Sequence, residues 1–520
     1  MLDNDWASYL SIRAVIIFFH YVGPACALYT CSVVLRSLQI GSWPVLTLLR
    51  AWAAAETLCF GFLLWYRTRL QHEAVHPPLR SEEERVAFFK TVKAEIHDMT
   101  AFISGWFRGA KMDDIGRDDL KLFLSWAFFE GRAEDGDELE DMTRQVEELI
   151  GHDFKPGAGP AKGLRLTIDP IEAQWRSLVW YAIILGVDTV THIRLRIYGF
   201  EFHGTRSTSL AIFPPRPAAV LDATATSPAP DMSYWLRPHT SKTRLPVLWI
   251  HGIGVGLHPN VEFMHELDVA LNKGSSDKDQ VGILSLEILQ ISTRLTAPIL
   301  TRPEFLRQLS IVLEHLKYDR FVLVSHSYGS TMSTHILTDP TLSHRVAATL
   351  LVDPVTLLLH MPDVAYNFTV RTPASASEWE LWYFASKDPG VAYTLGRHFF
   401  WSDNVLWRER IVELMVKNGM RFTASLAGRD LIVDTQAVGA YLVGRKRCDT
   451  VVVADAEKIK HMELKVDGAD NAEEAWKTWK RKGEGLEVMW WEGLDHAQVF
   501  DTEARRIKLI EVLVAYSNGR

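Results

Sequence analysis
Beyond residue 245 the chain alternates between short, nearly continuous apolar runs and longer mixed stretches. Val247–His251 (VLWIH), Gly282–Ile288, Arg320–Val324 (RFVLV), Ala347–Val352, Arg421–Leu426 and Leu486–Trp490 are such runs. Their length and β-rich composition predict strands buried on both faces. The helical stretches between them predict a mostly parallel sheet covered by helices on both sides. Upstream the pattern changes. Residues 81–150 read as several helices, with Ser81 and the three glutamates after it as a helix start. Phe102, Trp106, Phe107, Leu120, Phe123, Trp126, Phe128 and Phe129 supply their apolar faces. Residues 171–202 carry Trp175, Leu178, Tyr181, Ile184 and Leu185 near helical spacing and predict one long helix. Residues 203–244, broken by Pro214, Pro215, Pro217, Pro228 and Pro230, read as a linker.

The N-terminus follows a third pattern. Ala14–Leu35 runs 22 residues without a formal charge. At ~1.5 Å per residue it reaches ~33 Å, enough for a bilayer core of ~30 Å. Trp43–Tyr66 is also apolar but carries Arg50 and Glu56, and either one at mid-bilayer costs ~2.5–3.5 kcal/mol. Residues 1–70 therefore read as a membrane anchor of one or two transmembrane helices. The competing reading is a signal peptide cleaved near Ala25-Cys26-Ala27. Asp3 and Asp5 before Arg13, and the apolar run continuing past that point, argue against it. Arg67 and Arg69, against a lone Arg36 in the loop, favour a cytosol-facing body; the membrane is expected to be an endomembrane such as the ER.

Composition narrows the classes. With 520 residues, 48% hydrophobic and 23% charged, the chain is globular, and a net charge of −8 argues against a nucleic-acid partner. Four cysteines make no disulfide framework, and no zinc-type spacing occurs. The densely charged stretch 441–485 reads as a solvated insertion, and Arg445-Lys446-Arg447 within it is too short for a nucleic-acid patch.

The chemistry sits where strands end. RFVLV runs into Ser325-His326-Ser327-Tyr328-Gly329, a strand–turn–helix with small residues two before and two after Ser327. This is the setting of a nucleophile elbow, with Ser325 where glycine is usual. LPVLWIHGIGVG ends an earlier strand. Backbone N–H groups near Ile253 or Gly254, together with that of Tyr328, would form an oxyanion hole. His251 reads as structural. A serine nucleophile needs a base and the base an orienting acid. His496, in the loop after Leu486–Trp490, is the candidate base, with His398 as competitor. Asp430, off the end of Arg421–Leu426, is the candidate acid. Asp353, after Ala347–Val352, is the alternative acid, and Asp495 is expected to point elsewhere. No metal or organic cofactor is called for.

LWIHGIG, VSHSYGS, LAGRDLIV and GLDHAQVF, in that order, resemble the α/β-hydrolase superfamily over residues 245–520. The longer chain, with FISGWFRGA (Phe102–Ala110) and RHFFW (Arg397–Trp401), is similar to fungal membrane-associated α/β hydrolases. The resemblance implies an α/β fold with a helical cap at about 358–420, preceded by the anchor and a helical region, 71–202. It also implies a serine hydrolase acting on a lipid or lipophilic carboxylic ester, with a biosynthetic ester or thioester step conceivable. Trp379, Trp382, Tyr383, Phe384, Phe399, Phe400 and Trp401 in the cap read either as core or as an acyl pocket. The same triad would also serve an acyltransferase or condensing enzyme, and a non-catalytic membrane scaffold is the third reading.

Overall fold
The computed structural model describes residues 5–35, 44–132, 136–222, 225–444, 475–477 and 485–519. Most of the charged stretch 441–485, including Arg445-Lys446-Arg447, lies outside them.

Among the described residues nine strands form one sheet. β1 (Glu201–Gly204), β2 (Ala225–Thr226), β3 (Ser233–Arg237), β4 (Val247–Ile250), β5 (Ile283–Glu287), β6 (Phe321–His326), β7 (Val346–Val352), β8 (Arg421–Ala427) and β9 (Leu486–Trp491) lie in the order β2-β1-β3-β5-β4-β6-β7-β8-β9. β3 is antiparallel to both β1 and β5, while β5-β4-β6-β7-β8-β9 are parallel throughout. The six expected strands each form within two residues of their predicted bounds. Their side chains alternate between two cores, as strand geometry requires. Leu248, Ile250 and Leu323 face one side, and Val247, Trp249 and Val324 the other.

Residues 203–244 are not simply a linker. They hold β2, β3 and the second half of β1, and so extend the sheet. Prolines crowd between these strands rather than within them, which is where a sheet tolerates proline. The long helix expected over 171–202 is shorter. α7 spans Leu178–Ile197, with Ser177 as its N-cap, and the residues before it are extended.

The N-terminal region supplies α1 (Trp6–Leu35) and α2 (Pro44–Leu70), packed together as a hairpin, then α3 (Glu82–Glu95), α4 (Met99–Trp106), α5 (Arg117–Phe129) and α6 (Asp137–Ile150). Helices α3–α6 do not stand apart. Phe89, Phe102, Trp106, Phe123, Trp126 and Val146 share one core with the sheet and with helices inserted between β7 and β8. Those insertions are α12 (Pro362–Thr369), α13 (Ala376–Leu381), α14 (Pro389–His398), α15 (Trp401–Asn404) and α16 (Arg408–Asn418). The short α8 (Pro217–Leu221), α9 (Val261–Asn272), α10 (Arg302–His315), α11 (Gly329–Thr338), α17 (Thr435–Leu442) and α18 (Glu503–Ser517) complete the described helices. α9 and α18 cover one sheet face, and α10, α11, α16 and α17 cover the other.

Helices α1, α2 and α7 are each long and apolar enough to cross a membrane. Glu56, the costly residue of α2, is buried, and its carboxylate accepts the N–H of Leu178 at 3.0 and 3.1 Å. It thereby caps the start of α7, where an anion is favoured.

Candidate active site
Ser327 follows β6 directly and has φ +52°, a left-handed conformation that costs energy in a non-glycine residue. The turn is held because strand and helix must nearly touch there. A Cβ on Gly329 would lie 2.5 Å from the carbonyl oxygen of Ile250, so only glycine fits. At the other small position Ser325 is fully buried, and its Oγ accepts a hydrogen bond from Ser333 Oγ at 2.8 Å. Serine in place of glycine is thus accommodated by a partner one helical face away.

The three residues expected as a triad converge. Ser327 Oγ lies 2.8 Å from His496 Nε2, and His496 Nδ1 lies 2.7 Å from Asp430 Oδ2. Asp430 follows β8 and His496 follows β9, so both side chains meet the serine at the carboxyl edge of the parallel strands. The N–H groups of Ile432 and Val433 donate to Asp430 Oδ1 at 2.8 and 3.0 Å, which fixes the carboxylate and leaves its second oxygen for the imidazole.

Asp353, the alternative acid, makes no hydrogen bond to His496, although one of its carboxylate oxygens lies within 4.8 Å of a His496 ring nitrogen. It accepts the N–H of Ala427 at 3.0 Å and that of Ala497 at 2.8 Å, clipping together the loops that carry Asp430 and His496. Asp495 does a similar job that its sequence position did not announce. Its Oδ1 accepts from Leu431 N at 2.9 Å and His496 N at 2.7 Å. His398 stacks edge-on against Tyr393 and makes no hydrogen bond to the triad. His251 is buried and structural, with Nδ1 2.7 Å from the Gly252 carbonyl oxygen and Nε2 accepting from Ile288 N.

Electrostatics favour a proton on His496. Burial alone would lower its pKa, but the charge and hydrogen bond of Asp430, then Asp353 and Asp495, push it up to about 9. Asp353 is itself pushed up to about 7 by burial and by the Asp430 charge, against the pull of His496 and its two N–H donors. His326, whose ring centroid is 5.4 Å from that of His496, is held well below its usual value by burial and by its histidine neighbours, and so stays neutral.

The loop after β4 presses on the nucleophile. A Cβ on Gly252 would come 2.7 Å from Ser327 Cβ. Of the expected oxyanion donors, Gly254 is corrected, because its N–H is already given to the Ile291 carbonyl at 3.1 Å. The N–H groups of Ile253 and Tyr328 have no such acceptor among the described residues, and both residues line the cavity at Ser327.

That cavity is narrow, about 50 Å³ in volume, and largely apolar. Phe368, Leu395, Phe399 and Trp401 come from the segment between β7 and β8, while Trp106 and Trp126 come from α4 and α5. Both indole N–H groups are spent elsewhere, on the His360 carbonyl and on Thr167 Oγ1, so the rings present hydrocarbon to the cavity. The expected cap aromatics therefore divide. Phe399 and Trp401 line the cavity, but Trp379, Trp382, Tyr383 and Phe384 pack against α1 instead. The contribution of Trp106 and Trp126 was missed, and only the unusual density of aromatic residues in that stretch pointed toward it.

Counting from β1 and passing over the two-residue β2, the antiparallel strand is second, and serine, acid and histidine follow the fifth, seventh and eighth strands. This strand order, with those three residues after those strands, is the arrangement of the α/β-hydrolase fold. No family model matches the chain, and no curated protein matches it. Solved structures that resemble it include a carboxylesterase of the thaumarchaeon Nitrososphaera gargenis (14% identity, TM-score 0.31, 55% of this chain and 95% of that one). They also include an esterase of Pyrobaculum calidifontis (11%, 0.36, 65% and 92%). A third is a membrane phospholipase A described as a bacterial virulence factor (11%, 0.36, 66% and 94%). At such identities the functional reading rests on the site itself.

Proposed function
We infer that the protein is a membrane-associated serine hydrolase that cleaves a lipophilic carboxylic ester through an acyl-enzyme. The observation that carries this reading is the unbroken hydrogen-bonded line Asp430–His496–Ser327 opening on an apolar cavity. Asp430 orients the imidazole, and His496 Nε2 removes the proton of Ser327 Oγ as the oxygen attacks the ester carbonyl. The Ile253 and Tyr328 N–H groups take the negative charge that develops on the carbonyl oxygen, a role worth ~2.7–4 kcal/mol per donor. His496 then returns the proton to the departing alkoxide. In the second half-reaction it deprotonates the water that releases the acid. The aromatic cavity receives the acyl chain, since burying each CH₂ contributes ~0.8 kcal/mol. The α1–α2 hairpin holds the enzyme at the lipid surface where such esters dissolve.

The test is labelling of the detergent-solubilised full chain with a fluorophosphonate. Wild type is expected to be labelled, and Ser327→Ala, with unchanged circular dichroism, is expected to be blank. A folded wild type that takes no label contradicts the reading.

A further inference from the structure
Only one face of helix α7 is covered. Trp180, Tyr181, Ile184, Thr191, His192 and Leu195 are buried against the body. On the opposite side Ile183, Val190, Ile193 and Ile197 are exposed by 44, 48, 51 and 74%. Their spacing of seven, three and four residues places them on one stripe.

The stripe is free of charge because the charges of α7 turn elsewhere. Asp188 faces inward and pairs with Arg216 and Arg294 at 3.2 and 2.8 Å. Arg194 and Arg196 come only in the last turn.

What covers this face follows from where α7 begins. Its first N–H is held by Glu56, midway along α2. The Trp175 indole N–H donates to the His20 carbonyl in α1 at 3.0 Å. Trp180, Tyr181 and Ile184 share a core with Ile12, Ile16, Phe19 and Leu63 of the hairpin. If the hairpin spans the bilayer, as the functional reading above takes it to, the start of α7 lies at the depth of the hydrocarbon. There an exposed isoleucine stripe is favoured, whereas water would penalise it. α7 does not itself span, because its other face is packed on a helix-covered sheet. It runs outward to a polar end, where Arg194 pairs with Glu262 and Arg196 with Asp222 at 3.2 Å.

We propose that the exposed face of α7 is immersed in the acyl chains of the bilayer, so that the catalytic body is seated in the membrane and not merely tethered to it.

The experiment uses the wild-type full chain in phosphatidylcholine vesicles carrying a diazirine at the end of one acyl chain, irradiated and mapped by peptide mass spectrometry. Adducts are expected on Ile183–Ile197 at a yield comparable to that on Leu58, a 75%-exposed position of α2. None is expected on Leu149, which is 53% exposed on α6. Adducts on Leu58 with none on α7 overturn the proposal while leaving the anchor intact, and are the result expected if a second copy of the chain covers this face. Equal labelling of Leu149 also overturns it, as unselective. No adducts on the hairpin would remove the anchor and the proposal together, with Ser327 reactivity still decided separately.

Discussion

Two buried clusters of ionisable groups flank the loop after β4, and they are built on opposite plans. In one, Glu287 receives both Nη groups of Arg216 at 2.7 Å, Ser233 Oγ at 2.8 Å and the Trp235 indole N–H at 3.0 Å. Burial opposes its charge, but Arg216 and the two other donors, Ser233 and Trp235, override that and pull its pKa down to about 2. Asp188 and Arg294 close the cluster with one more charge of each sign. In the other, Asp353, Asp430 and Asp495 surround a single imidazole, with no guanidinium paired to any of them. The first cluster has every charge answered and so stays ionised and fixed. The second has more anion than cation, which is what makes a proton mobile between them. Similar burial thus yields a structural brace in one place and an acid–base device in the other.

The sharpest way to break this contrast is to disable each cluster and read both activity and stability. Asp430→Asn removes the carboxylate that orients His496. It is expected to lower kcat about 10⁴-fold, as loss of the orienting acid does in serine proteases, with little change in unfolding. Measured ester turnover and denaturation in detergent decide it. Glu287→Gln leaves Arg216 buried without its counter-charge and is expected to cost about 3–5 kcal/mol of stability, seen as a lower denaturation midpoint. The pH–rate profile should not move.

Asp353→Asn separates clip from charge. Activity needs neutral His496, so a raised imidazole pKa places the acid limb of kcat/KM above the ordinary histidine range. Removing one neighbouring carboxylate lowers that pKa, and the acid limb should shift to lower pH. A purely structural role for Asp353 would reduce the rate without moving the limb.

The smallest expected effect is on selectivity. Trp126→Leu enlarges the cavity wall supplied by α5 and should raise kcat/KM for longer acyl chains over shorter ones roughly tenfold. An unchanged chain-length profile would remove Trp126 from the acyl site.

Much of the triad edge was legible in the sequence because parallel strands buried on both faces are written as continuous apolar runs. Each run ends at the turn that carries chemistry, as RFVLV does before Ser327 and Arg421–Leu426 before Asp430. β3 was not legible. Its SYWLR is short and preceded by Pro228 and Pro230, and only pairing with β1 and β5 makes it a strand. The membership of Gly254 in the oxyanion hole failed for a tertiary reason, since its N–H is given to the carbonyl of Ile291, distant in the sequence. The acyl cavity was half legible. The cap aromatics were conspicuous, but which of them would face Ser327 and which would face α1 depends on how α13 and α14 dock. No local pattern encodes that docking.

The central claim is that Ser327 carries the acyl group during turnover. Rapid acid quench of the wild-type enzyme with a p-nitrophenyl ester, followed by peptide mass mapping, tests it most directly. The account predicts an acyl adduct on Ser327 that forms within the burst and disappears as substrate is exhausted. Turnover that proceeds with no adduct on Ser327, or that persists in Ser327→Ala, would contradict it.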